Sequence, residues 1–166
     1  MEAPPRDGAS ALCTAAALAV VALAAWARLY ALDVPSLWWD EILVPLNARA
    51  GLATLLTRCA TQDFHPPGFY LLTKLAMQAG TGNAVLRLPP VLASLAAIWL
   101  LYRLGRRHLG PGAALIAAAL LASSDLFLLV SRQVRPYGPM VCLSVVAVHF
   151  LLRHLEDGRG KWLWFC

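Results

Sequence analysis

Long apolar runs separated by short polar segments dominate the pattern of hydrophobic and polar positions along the chain. Runs close to the ~20 apolar residues that cross a bilayer predict membrane-spanning helices. Arg28 is the one charged residue in the first run, near its end, where a long side chain can reach the membrane surface. The predicted spans are about 11–32, 88–105, 113–130 and 137–152, with the start of another at 162.

The first run has a second interpretation, as a cleaved signal peptide. Ala25-Trp26-Ala27 matches the small-residue pattern of a cleavage site. The segment before the run carries only Arg6 as a cation, offset by Glu2 and Asp7. We therefore favour a retained membrane anchor.

One shorter apolar stretch, Gly68–Ala79, has 12 residues and contains Lys74. It is too short to cross and is predicted to be a re-entrant or surface helix. Apolar residues between 42 and 56 have roughly helical spacing, and Trp38-Trp39 suits the aromatic belt of a membrane interface. The predicted fold class is all-α: a polytopic transmembrane helical bundle with juxtamembrane helices in the first outer loop.

Composition supports a membrane protein rather than a soluble domain. Sixty per cent of the residues are apolar and 14% are charged, whereas soluble domains contain roughly 45–50% apolar residues. A soluble domain of 166 residues could not bury that much apolar surface. The net charge of +5 comes from cations at the ends of apolar runs, so we expect no nucleic-acid partner. The four cysteines show no metal-ligand spacing.

The cations also predict the orientation of the chain. If 68–79 does not cross, the basic clusters at 103–108 and 153–161 lie on the same side as the N-terminus. The positive-inside rule makes that side cytoplasmic. Residues 33–87 and 131–136 then lie on the non-cytoplasmic side of the membrane. We expect a multi-pass integral protein of the plasma membrane, or of the inner membrane in a bacterium.

Adjacent carboxylates follow the first run, in Trp38-Trp39-Asp40-Glu41. Two acids side by side at a membrane surface repel each other and favour proton binding by one of them. Such a carboxylate suits a general base acting on a hydroxyl group. The alternative is a helix start, with Asp40 as the cap and Glu41 in the first turn.

A second polar cluster, Asp63-Phe64-His65-Pro66-Pro67, opens the shorter apolar stretch. The prolines hold the backbone of His65 extended. Asp63 and His65 are therefore candidate site residues. The alternative is an ordinary loop that ends at the prolines.

The third cluster is Ser131-Arg132-Gln133-Val134-Arg135-Pro136-Tyr137, between the last two predicted spans. Cations outside the cytoplasm run against the positive-inside trend, and an anionic ligand would explain them. Arginine matches phosphate oxygens in a bidentate manner, so Arg132 and Arg135 are candidate phosphate ligands. The alternative is contact with lipid headgroups.

Asp125 lies inside the third predicted span, about two helical turns before Arg132. A carboxylate at membrane depth is a functional candidate. Two other interpretations stay open: a buried Asp held by Ser123, Ser124 or a neighbouring helix, and a proton path in a transporter.

The order of these motifs resembles the GT-C membrane glycosyltransferases. The similarity is greatest to the dolichyl-phosphate-mannose-protein mannosyltransferases, the lipid A aminoarabinose transferases and the bacterial Rgt-type glycosyltransferases. It covers about 12–152, and the chain would be the N-terminal part of such a membrane domain. Its motifs are a first span, then Asp40-Glu41, Asp63-Phe64-His65-Pro66-Pro67, Arg87-Leu88-Pro89 and Ser131–Tyr137.

The resemblance implies roles for individual residues. Asp40 would be the catalytic base, with Glu41 as its catalytic partner. The residues implied to bind substrate or the carrier phosphate are Asp63, His65, Arg87, Asp125, Arg132, Arg135 and Tyr137.

The function expected from the resemblance is transfer of a hexosyl- or pentosyl-type sugar. The donor would be a polyprenyl-phosphate sugar, the acceptor a hydroxyl of a lipid, glycan or protein, and the site would lie on the non-cytoplasmic face among membrane lipids. The alternative is a truncated or accessory membrane protein that binds the carrier without catalysis. No cofactor is predicted with certainty; a divalent metal needs Asp40, Asp63 and His65 to come together.

Overall fold

The computed structural model describes residues 6–61 and 65–157, and every regular element in these ranges is a helix. Because the described residues contain no strand, the predicted all-α class is confirmed. The helices are α1 (Arg6–Leu29), α2 (Trp39–Ala48), α3 (Leu52–Thr61), α4 (Pro67–Ala76), α5 (Asn83–His108), α6 (Pro111–Ser123), α7 (Asp125–Ser131) and α8 (Tyr137–Asp157).

Within the described part of the chain, three helices, α1, α5 and α8, are long and apolar enough to cross a membrane. The pair α6 and α7 would make a fourth crossing, although the two meet at an angle of 61°. α1 ends before the predicted position 32, close to Ala31, whose φ of 48° lies in the left-handed region. α5 begins at Asn83, before the apolar run itself. The run predicted to start at 162 lies outside the described residues.

The run at 113–130, which we predicted to be one span, is divided at Ser124. Ser124 has extended backbone angles (φ −63°, ψ 116°), and its hydroxyl accepts a hydrogen bond from the Phe127 N–H at 3.3 Å. Asp125 opens the next helix, where the helix dipole favours a carboxylate. The break is therefore a capped helix start.

The long helices pack as a bundle around small and aromatic side chains. Small residues allow the backbones to approach closely, as is common between membrane helices. A Cβ atom on Gly105 would lie 3.1 Å from the Cβ of Ala114, and one on Gly138 would collide with the Pro90 carbonyl oxygen. The buried core comprises Ala17, Ala24, Ala97, Ile98, Tyr102, Ala114, Ala118 and Phe127.

The long helices alternate in direction along the chain, so α1 and α6 run parallel to each other and α5 and α8 run parallel to each other. Arg28, in the last turn of α1, donates to the Ala122 carbonyl near the end of α6 at 3.5 Å. Gly138, at the start of α8, contacts Pro90 near the start of α5. We call the end at which α1 and α6 finish and α5 and α8 begin the near end. The opposite end, where α5 and α8 finish, is the far end.

The short helices α2, α3 and α4 form a separate layer at the near end. α4 has ten residues, about 15 Å at 1.5 Å per residue, which is too short to cross a bilayer. Trp39 is 71% exposed, on an apolar face of α2 that suits a membrane interface. The buried core of this layer comprises Val44, Leu55, Phe69, Tyr70, Leu86 and Val134.

Candidate active site

A buried ion pair joins the short-helix layer to the bundle. Glu41 in the first turn of α2 accepts two hydrogen bonds from Arg87 of α5, at 3.2 Å to Oε1 and 2.9 Å to Oε2. The side chains are 1% and 5% exposed. Glu41 also accepts from the backbone N–H of Val134 at 2.7 Å and from that of Trp38 at 3.4 Å. Its oxygens are therefore fully engaged within the protein.

The rest of the Arg87 guanidinium holds the chain that leads into α2. Nη1 donates to the carbonyl oxygens of Leu32 at 3.0 Å and Pro35 at 2.8 Å, and Nη2 donates to Ser36 at 3.3 Å. Glu41 and Arg87 thus hold four parts of the chain in one arrangement. These are the segment that leaves α1, helix α2, helix α5 and the segment before α8. This geometry favours a positioning role for both residues. Their roles in catalysis and in carrier binding stay predictions.

Asp40 faces away from its neighbour Glu41. Its Oδ2 lies 3.4 Å from Nη2 of Arg135, with the two side chains 39% and 17% exposed. Trp38, rather than Asp40, is the cap of α2, so the alternative prediction of an Asp40 cap was wrong about the capping residue. Asp40 is the half-exposed acid of the pair and can reach a ligand.

Asp40 and Arg135 line one cavity of about 380 Å³, which we call the Asp40 cavity. His65 lines it as well, so three of the predicted site residues come together. Other lining residues carry polar groups that the sequence did not single out. Among these, Arg58 donates to the side-chain oxygen of Asn47 at 3.2 Å. The remaining polar lining residue is Tyr70.

Asn47, Arg58 and Tyr70 were missed because none belongs to a recognisable motif. Arg58 gave the only usable signal, as a cation in a segment predicted to lie outside the cytoplasm. It brings a second guanidinium to the Asp40 cavity. The cavity therefore combines one carboxylate with two arginines, which suits a ligand with both a hydroxyl and a phosphate.

Arg132 lies in a neighbouring cavity of about 590 Å³, the Arg132 cavity. Its Nη2 donates to the carbonyl oxygens of Tyr30 at 2.7 Å and Ala31 at 3.4 Å. A cation suits these carbonyls, which follow the C-terminal end of α1. The cavity is also lined by Trp38 and Gln133 and by the Glu41–Arg87 pair.

Asp125 lines the Arg132 cavity and not the Asp40 cavity. It is exposed in the first turn of α7, so the alternative of a buried aspartate held by Ser123, Ser124 or a neighbouring helix was wrong. The capped break at Ser124 places the carboxylate at the surface. The structure therefore separates Asp125 and Arg132 from Asp40 and Arg135.

Tyr137 completes the surroundings of Arg135. The Arg135 guanidinium carbon lies 5.9 Å from the centroid of the Tyr137 ring, a cation–π distance. Tyr137 itself is exposed at the start of α8. The remaining predicted site residue, Asp63, lies outside the described residues.

Within 6–61 and 65–157, no group of three or more His, Cys, Asp or Glu side chains is placed to hold a metal ion. Asp40, considered from the sequence as a ligand, is paired instead with Arg135. A metal held by Asp40, Asp63 and His65 stays a prediction, because Asp63 is outside the described residues.

Apolar helices that carry a cavity with one carboxylate and two guanidinium groups are typical of a polytopic membrane protein with a candidate site for an anionic ligand. Comparison with known families makes this class more specific. A model of the family "Dolichyl-phosphate-mannose-protein mannosyltransferase" matches residues 64–166, more than half of the chain. The chain belongs to this family of membrane glycosyltransferases, and it is an integral membrane protein. The matched region contains His65, Arg87, Arg132 and Arg135, whereas Asp40 precedes it.

The chain is also similar to the "Putative mannosyltransferase YycA" of Bacillus subtilis (strain 168). The two are 30% identical over 103 residues, which is 62% of this chain and 15% of the relative. The chain thus spans a small part of the length of this relative. No solved structure matches the chain.

Proposed function

We propose that the protein transfers a sugar from a polyprenyl-phosphate-linked donor to an acceptor hydroxyl. Family membership supports glycosyl transfer. The observation that carries the proposal is the placement of Asp40 and Arg135 in one cavity, 3.4 Å apart. A base for the acceptor and a cation for the carrier phosphate are both needed at the reacting carbon. One small cavity with both groups meets this need.

Asp40 acts on the acceptor. Its carboxylate removes the proton of the acceptor hydroxyl while the hydroxyl oxygen attacks the anomeric carbon. The bond between that carbon and the phosphate oxygen breaks, and polyprenyl phosphate leaves with the electron pair. Because the oxygen attacks from the side opposite the leaving group, the anomeric configuration is inverted.

Arg135 acts on the leaving group. Negative charge on the phosphate grows as the bond to the sugar breaks, so a guanidinium stabilises the transition state more than the ground state. Its 3.4 Å contact with Asp40 is long for a charge-assisted hydrogen bond. An incoming phosphate can therefore draw Arg135 away and release Asp40 for the acceptor. Arg58 supplies further positive charge to the same cavity.

The near end, with both cavities, faces the non-cytoplasmic side in this proposal. The support is the cluster Arg103, Arg106, Arg107 and His108 at the end of α5, which lies at the far end. The positive-inside rule places such a cluster, and with it the N-terminus, in the cytoplasm. A donor embedded in the membrane then meets its acceptor outside the cytoplasm.

The direct test is sugar transfer by the full-length protein in proteoliposomes. Donors are a panel of polyprenyl-phosphate sugars and, as a comparison, the same sugars linked to nucleotides. We expect transfer from a polyprenyl-phosphate sugar only. Equal transfer from a nucleotide sugar would contradict the proposed donor. Binding of every lipid-linked donor without any transfer would instead indicate an accessory protein that binds the carrier.

The same assay tests the leaving-group role with Arg135→Gln. Removing one preorganised group that stabilises transition-state charge typically lowers kcat about 10²–10³-fold. Arg49→Gln is the matched control, because Arg49 is an exposed cation on the same layer that does not line either cavity. A kcat for Arg135→Gln equal to that of Arg49→Gln would show that Arg135 has no part in the chemistry.

A further inference from the structure

A third cavity, the far-end cavity, lies at the far end of the bundle and has a volume of about 880 Å³. Helices α1, α5 and α8 form its walls. Arg87 at the near end and Arg103 at the far end are separated by about 24 Å along α5, at 1.5 Å per residue. The far-end cavity is therefore distinct from the Asp40 and Arg132 cavities.

The rim of the far-end cavity is basic. Four arginines line it, Arg103, Arg106 and Arg107 from α5 and Arg153 from α8. None of the described residues that line it is acidic. The nearby Glu156 is engaged by Arg107 at 2.6 Å and by His108 at 3.4 Å. Arg103 and Arg106 have no acidic partner among the described residues, so positive charge is concentrated at the cavity mouth.

The inner walls of the far-end cavity are mostly apolar, with His149 of α8 and Thr14 of α1 as the polar exceptions. Trp99 and Leu100 of α5 face Val146 and Phe150 of α8 across it. Seven residues separate Val146 from Arg153, about 10 Å along the helix. A ligand that fits has a compact anionic group and, about 10 Å or less away, a hydrocarbon portion. Free phosphate satisfies the first requirement only.

We propose that the far-end cavity binds an anionic membrane phospholipid. Its phosphate headgroup is held by Arg103 and Arg153, and the start of an acyl chain lies between Trp99 and Phe150. Basic recesses between membrane helices suit such headgroups, since the cytoplasmic leaflet is rich in anionic lipid. The site is independent of sugar transfer and would exist even if the proposed function were wrong.

The test is lipid binding to the full-length protein, followed by native mass spectrometry during titration. The probes are dioleoyl phosphatidylglycerol and, as the neutral counterpart, dioleoyl phosphatidylcholine. We expect selective retention of phosphatidylglycerol. Arg103→Gln with Arg153→Gln should raise its Kd about tenfold or more, because each cation near a membrane surface contributes to anionic lipid binding. Arg49→Gln, at the near end, should leave the Kd unchanged.

A charge-conserving pair, Arg103→Lys with Arg153→Lys, keeps the test valid if the Gln pair does not fold. It should retain binding within about threefold, and salt should weaken phosphatidylglycerol binding to the unaltered protein. Equal retention of both lipids, or no effect of the Gln pair in folded protein, overturns the proposal. Displacement of the lipid by millimolar inorganic phosphate would assign the cavity to free phosphate. Preferential retention of polyprenyl phosphate would assign it to the sugar carrier. Either result overturns the phospholipid assignment.

Discussion

At the scale of single residues, Asp40 and Glu41 are neighbours in sequence with different environments. Successive residues of a helix point about 100° apart, so the two carboxylates of α2 cannot face the same way. Glu41 points into the protein and meets Arg87, whereas Asp40 points into a cavity and meets Arg135. The adjacent pair therefore divides into one buried anchor and one accessible acid.

The first prediction concerns that anchor. Glu41→Gln leaves the Arg87 charge buried without a counter-ion, which should lower the free energy of unfolding by about 3–5 kcal/mol. The matched control is Glu156→Gln, the same change at an exposed ion pair with Arg107, which should cost about 0–1 kcal/mol. Denaturation midpoints of the full-length protein in mixed micelles measure both. Equal midpoints for the two variants would show that the buried pair does not hold the near end together.

The sequence allowed Asp40, Glu41 and Arg135 to be selected as site residues, but not their pairing. Glu41 and Arg87 are 46 residues apart, and Asp40 and Arg135 are 95 apart, so their contacts depend on how the helices pack. Residue types identify groups that can carry charge. Only the arrangement of α2, α5 and α8 shows which groups neutralise each other and which remain accessible.

At the scale of helices, close approach between α5 and α8 positions the segment that carries Arg135. Gly138→Ala should destabilise the protein by about 1–3 kcal/mol, because its new methyl group meets the Pro90 carbonyl rather than a flexible side chain. Gly112→Ala in α6 is the control, since a Cβ there has nothing within 4 Å, and should be neutral or mildly stabilising. The same denaturation measurement applies. A denaturation midpoint for Gly138→Ala that is unchanged, like that of the control, would contradict the tight contact between α5 and α8.

Helix boundaries were predictable only in part. Apolar runs predicted the position of each long helix, because the bilayer demands length and hydropathy that are visible in the sequence. The break at Ser124 was not predicted, although Ser before Asp is a common helix start. The pattern of apolar residues alone predicts Asp125 to be a polar residue inside one span. A hydrophobic run predicts that its residues lie within the membrane. It does not predict that they form one continuous helix.

At the scale of the whole molecule, the bundle has two ends of different chemistry. The near end carries the Asp40 and Arg132 cavities, and the far end carries the arginine-lined cavity. The proposed orientation, with the far end in the cytoplasm, follows from the distribution of cations. This orientation predicts that a reagent unable to cross the membrane reaches the near end from outside the cell but does not reach the far end.

That prediction is tested with single cysteines in a full-length protein whose native cysteines are replaced. Arg49→Cys at the near end should react with a membrane-impermeant maleimide in intact cells. Leu109→Cys, an exposed position in the turn after α5, should react only after the membrane is permeabilised. The reversed pattern would place the candidate site in the cytoplasm and contradict the proposed face.

The central claim is that Asp40 is the base for sugar transfer, and the rate of transfer by Asp40→Asn tests it most directly. Asparagine keeps the size of the side chain but cannot take up the proton, so kcat should fall roughly 10²–10⁴-fold. Asp33→Asn, at an exposed acid that lines neither cavity, should keep the unaltered rate. A kcat for Asp40→Asn equal to that of the unaltered full-length protein would contradict the account.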